Sequence, residues 1–132
     1  MAPAKTRRRT GKSDAFERVI RRVLRELPKD LKGALSTVAI SVQKRPTPAM
    51  LRRSGLPLGT VLYGIFEGLD LKAAAAGEAR LQADRIILFE EGLRRDFPKT
   101  SDLEREIRVT LLHELGHFFG FSEKELKARG WG

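Results

Sequence analysis

His113 and His117 are the only histidines of this 132-residue chain, and Glu114 stands beside the first, in the run His113-Glu114-Leu115-Gly116-His117. On an α-helix, residues four apart project from one face, about 40° apart at about 100° per residue, so two imidazoles at this spacing can share one cation. A carboxylate next to the first ligand is placed to take and return a proton of a water held by that cation. The H-E-x-x-H pattern therefore predicts a zinc ion on His113 and His117, with Glu114 as general base and acid. The bland alternative is a pair of polar residues on the surface of an amphipathic helix.

Catalytic zinc sites usually have three protein ligands, so a third is needed. Gly120 is suited to end the helix in a left-handed conformation, and the chain beyond it can turn back over the histidines. Glu123 completes His113-Glu114-x-x-His117-x-x-Gly120-x-x-Glu123, the spacing of the metzincin signature with a carboxylate in place of the last histidine. Glu123 is thus the expected third ligand, with Glu125 and the upstream Glu106 as substitutes. A plain reading of Glu123 as a favourable charge at a helix N-terminus competes with this. The sole tyrosine, Tyr63, or a backbone N–H on an edge strand could stabilise an oxyanion, and neither is singled out. Arg105 and Arg108 read as solvent-facing charges.

The elements that must position these residues are legible in part. Ser101 and Glu104 form an S-x-x-E capping box after Pro98, and Leu103, Ile107, Leu111, Leu115 and Phe118 continue as the apolar stripe of a long helix. The histidines lie roughly 120° or more from the middle of that stripe, away from the main packing face. Ser122 and Glu125 make a second capping box for a short helix through about Ala128. Near the start, Ser13 or Asp14 caps a helix carrying Phe16, Val19, Ile20, Val23, Leu24 and Leu27, closed by Pro28. Thr37 to Val42 alternates as a half-buried strand, Leu58 to Phe66 is apolar on both faces and reads as an interior strand, and Arg85 to Phe89 is a short buried strand. Prolines and a glycine make residues 44–57 a loop, while 70–84 fits a short helix or a loop equally.

Composition narrows the setting. With 41% hydrophobic and 33% charged residues the chain is a folded domain, and no apolar run approaches the ~18 residues of a membrane span. The absence of cysteine excludes disulfides, thiolate nucleophiles and Cys-ligated zinc. Five positive charges in residues 1–13, unopposed by any acid, supply more than half of the net +9. Residues 1–12 are therefore expected as a basic flexible tail making at most weak nucleic-acid or anion contacts, and 13–132 as one domain. That tail carries no hydrophobic stretch of a secretory signal, and a cytoplasmic location is the expectation.

From about Ala34 to Leu126 the chain resembles a family of small bacterial metallopeptidases with a minimal zincin fold. The matching pieces are Thr37-Val38-Ala39-Ile40-Ser41-Val42, Leu62-Tyr63-Gly64-Ile65-Phe66-Glu67-Gly68, Asp84-Arg85-Ile86-Ile87-Leu88-Phe89 and His113-Glu114-Leu115-Gly116-His117-Phe118-Phe119-Gly120. The resemblance implies an α+β domain, with a small mixed sheet of three to four strands packed on an N-terminal helix and a long active-site helix. It implies zinc on positions matching His113, His117 and Glu123, with Glu114 as the catalytic carboxylate. The acidic position is often aspartate in that family, and no methionine follows the motif, since the two are Met1 and Met50. The expected activity is zinc-dependent hydrolysis of short or unfolded peptides. A zincin-scaffold binding module without turnover and a basic nucleic-acid-associated protein are the rivals.

Overall fold

The structure, a computed structural model, describes residues 11–68, 77 and 84–131. The expected tail over its first ten residues, and nearly all of the undecided segment 70–84, lie outside the described residues. Helix α1 (Gly11–Arg25) is followed by α2 (Lys29–Leu35), strand β1 (Ala39–Gln43), α3 (Pro48–Arg53), β2 (Gly64–Glu67), β3 (Arg85–Phe89), α4 (Glu90–Asp96), α5 (Thr100–Phe118) and α6 (Glu123–Ala128). The three strands form one mixed sheet in the order β1-β3-β2, β1 parallel and β2 antiparallel to β3. The α+β architecture with a long helix is the one expected.

Strand β3 is central, and Ile86 to Phe89 are wholly buried, which is why that run lacks alternation. Ile86 and Leu88 pack with Phe16 and Val23 of α1 and with Ile107, Leu111 and Leu115 of α5. Ile87 and Phe89 point to the other face and meet Met50. The sheet is thus covered on both faces. The apolar stripe expected on α5 is the buried one, from Leu103 through Phe118.

Four expectations are corrected. Strand β2 is short and lies at the sheet edge, because Pro57 to Thr60 form a turn, with Gly59 at φ 86° and Thr60 N–H bonded to the Pro57 carbonyl at 3.2 Å. It is apolar on both faces because Phe66 joins the main core while Ile65 packs on the Met50 side. Within the expected loop, Thr47 caps α3 by accepting from Met50 N–H at 3.1 Å, with Pro48 in the first turn where its missing N–H costs nothing. Strand β1 begins at Ala39, since Val38 N–H still closes the exit of α2 on the Leu35 carbonyl. Finally, α5 starts at Thr100 without a side-chain cap, and the Glu104 carboxylate instead meets Arg22 of α1 at 3.1 Å. Arg108 meets Glu26, in the turn just after α1, at 2.6 Å. Arg105, by contrast, stays on its own helix with Asp102.

Candidate metal centre

Helix α5 carries both histidines in its last turns, with the ring centroids 4.8 Å apart and the planes at 80°. The helix ends where the sequence predicts. Gly120 takes φ 80°, its N–H bonds the His117 carbonyl at 2.9 Å, and Phe121 N–H bonds the Gly116 carbonyl at 3.0 Å. This Schellman geometry reverses the chain within three residues. Ser122 and Glu125 then form the expected capping box, which starts α6 and commits the Glu125 carboxylate to the Ser122 N–H at 2.7 Å.

The reversal places Glu123 over the histidines. Its Oε2 lies 3.5 Å from His113 Nε2 and 3.4 Å from His117 Nε2. Atoms held tetrahedrally at about 2.0–2.1 Å from one zinc ion are about 3.3 Å apart, and these two separations are close to that spacing. The donors, two imidazoles and a carboxylate, also suit zinc. Ligand atoms of His113, Glu114 and His117 lie within 4.8 Å of one another. Of the other acids considered, Glu125 is committed to the capping box of α6.

One feature of α5 lets α6 come this close. Gly116, between the histidines, has no side chain, and a Cβ there would run into Leu126 of α6, which is wholly buried. Gly116→Ala is expected to lower stability by about 1–3 kcal/mol through overpacking and to displace Glu123. Thermal unfolding with and without zinc checks this, since the zinc-dependent rise in Tm should shrink as well. The face expected to point away from packing is therefore partly covered by the segment after Gly120, leaving the side chain of His113 23% and that of His117 36% exposed.

His113 is also held from behind. Its Nδ1 lies 3.0 Å from the carbonyl oxygen of Trp131. A carbonyl only accepts, so Nδ1 carries the proton in this bond, and Nε2 is the ring nitrogen turned toward Glu123.

Glu114 points toward the sheet. Its Oε1 accepts the Phe66 N–H of edge strand β2 at 2.8 Å. Burial pushes its carboxyl up to about 8, the bond to Phe66 N–H opposes this, and the Glu123 charge adds to the rise. Because the folded protein binds this proton more tightly than the unfolded chain, with its ordinary 4.5, the associated stability is full below that value and lost as pH rises through about 8. In chelator-treated protein, the Tm advantage of Glu114→Gln over wild type is thus expected to grow between pH 5 and pH 8.5, which thermal melts across that range would read. An advantage constant with pH would contradict it.

Tyr63, a candidate oxyanion stabiliser by sequence, is engaged elsewhere. Its hydroxyl donates to Asp96 Oδ2 at 2.6 Å, and this bond is the main cause that pushes its pKa up to about 12. Its ring stands edge-on to Phe97.

Sequence reasoning misses the Phe66 N–H and the Trp131 carbonyl. Both are backbone groups, present at every non-proline residue, so only their placement distinguishes them. Gly116 does carry a signal, as a glycine in the interior of a predicted helix usually marks close approach.

A search among curated proteins found no match. Among solved structures, a conserved hypothetical protein from Thermus thermophilus is similar at a TM-score of 0.52 and 19% identity, over 89% of this chain and 98% of that one. At that identity the likeness bears on the fold alone. The family model of the zincin-like metallopeptidases matches residues 35–131, a span that takes in the sheet, the His113-Glu114-His117 cluster and the segment folded back over it. By its sequence, and with a site whose donors and spacings suit zinc, the chain belongs to the zincin-like metallopeptidase family.

Proposed function

We propose that this protein is a zinc-dependent hydrolase of peptide bonds in short or unfolded substrates, with His113, His117 and Glu123 holding the ion and Glu114 moving the proton. The observation that carries the reading is the approach of Glu123 Oε2 to both Nε2 atoms, at 3.5 and 3.4 Å, in a family whose name is that of metallopeptidases. When bound, zinc would supply Lewis acidity that polarises a carbonyl and lowers the pKa of a held water far below its bulk value, to about 7.

The chain's own residues do the rest. Glu114 Oε1 is fixed by Phe66 N–H, which leaves Oε2 to take the proton of the attacking water and to deliver it to the departing amine nitrogen. Burial raises the proton affinity of this carboxyl in the metal-free chain, and the positive charge of a bound ion would lower it again toward the range that proton transfer needs. Glu123 stays 72% exposed, so the site opens to solvent, and an extended chain can approach it without a second domain parting. Among the described residues no helix is long and apolar enough to cross a membrane. We read the setting as cytoplasmic and the basic residues Lys5 to Lys12 as making weak anion contacts.

The test is metal analysis of protein purified without added zinc or an affinity tag, combined with cleavage of a diverse unstructured peptide library before and after chelation. One equivalent of zinc, and cleavage lost on chelation and restored by zinc, is the expected result. Protein that takes up no zinc at micromolar excess, or zinc-loaded protein that cleaves nothing in the library, would overturn the reading.

A further inference from the structure

We infer that Trp131 is a positioning residue for the metal centre: its backbone carbonyl selects the His113 tautomer that presents Nε2 to zinc, and its indole anchors that carbonyl. The inference rests on the proposed zinc site and extends it to a segment with no ligand of its own.

The contact itself is the Nδ1 to carbonyl approach of 3.0 Å. A free neutral imidazole can carry its proton on either nitrogen, and only the Nδ1–H form has a lone pair on Nε2. A fixed acceptor behind Nδ1 therefore removes a proton rearrangement and a ring rotation from the cost of binding the ion. Loss of such a partner typically costs 10–100-fold in metal affinity.

The carbonyl is fixed because the segment after α6 is tied down from several sides. Trp131 N–H bonds the Leu126 carbonyl at 2.9 Å, and Leu126 is the buried side chain seated over Gly116. Gly130 turns the chain at φ 78°, a conformation that favours glycine. The indole packs against the main core and lies 6.2 Å from the Phe121 ring, centroid to centroid. Arg129 spans both rings, its guanidinium 4.2 Å from the centre of Phe121 and 5.8 Å from that of Trp131. Phe121 itself follows the helix-ending glycine, so one aromatic stack links the turn that delivers Glu123 to the carbonyl that orients His113.

Two measurements on the 132-residue chain and its variants test this. In chelator-treated wild type, nitrogen-15 NMR of the imidazoles should show His113 protonated on Nδ1. Protonation on Nε2 instead overturns the inference, whether or not zinc binds. By competition with a chromophoric chelator, zinc affinity should fall 10–100-fold in Trp131→Ala and in a chain lacking residues 131–132, and remain within about threefold of wild type in Trp131→Phe, which keeps a ring and the carbonyl. Wild-type affinity in the shortened chain, or equal losses in the Phe and Ala variants, would also overturn it. Should the shortened chain not fold, the Phe and Ala pair and the wild-type tautomer still decide. Failure of wild type to bind zinc at all would instead strike the proposed function, leaving the tautomer to judge Trp131 alone.

Discussion

Glu114→Gln is expected to keep its zinc and to lose peptide hydrolysis by a factor of about 10²–10⁴, the range a positioned general base contributes. The amide is nearly isosteric with the acid, and its oxygen can still accept the Phe66 N–H, so the packing between α5 and β2 survives. What it lacks is the ability to take a proton. Glu114→Ala should lose activity as well, but it also leaves the Phe66 N–H without its buried acceptor, which costs about 1–3 kcal/mol of stability. Comparing the two variants by zinc content, Tm and cleavage rate separates the proton's contribution from the fold's. Activity in Glu114→Gln within tenfold of wild type would exclude Glu114 as the proton carrier.

The second large effect concerns the ion. His113→Ala should weaken zinc binding by on the order of 10²–10³-fold, taking one ligand's share, roughly a quarter, of the ~10–16 kcal/mol measured for four-ligand structural sites. His117→Ala should behave alike, because both Nε2 atoms stand at nearly the same distance from Glu123 Oε2. Glu123→Ala removes the third donor, and a site left with two imidazoles should lose zinc to a competing chelator that wild type resists. Glu106→Ala is the control, since that residue is not in the proposed ligand set. A Glu123→Ala protein that binds zinc as tightly as wild type would remove the carboxylate from the ligand set while leaving the histidine pair in place.

How these residues come to be legible differs from one to the next. The histidine pair and Glu114 can be read because helical periodicity is a local property, and Leu103 to Phe118 carry it without interruption. Glu123 can be read because a glycine in the left-handed region and a Ser-x-x-Glu box are also local, and together they specify a tight reversal. The same local logic misleads at the start of α5. Its Ser101 box competes with a tertiary partner, and Glu104 goes to Arg22, 82 residues away in sequence. Strand β2 misleads because an apolar run covered on both faces looks alike at the centre of a parallel sheet and at an edge held between a helix and a second cluster.

The order of residues was enough to set the chemistry on offer: which side chains could bind an ion, which could carry a proton, and that a turn brings a third donor back. Patterns repeating over a few residues suffice for that, since they depend only on backbone geometry along the chain. How those groups are held came only with folding. Folding placed the Phe66 N–H under Glu114, the Trp131 carbonyl behind His113 and the Leu126 side chain over Gly116. Two of these are backbone contacts spanning 48 and 18 residues, made by groups that every residue carries, so no choice of residue type announces them before the chain has folded.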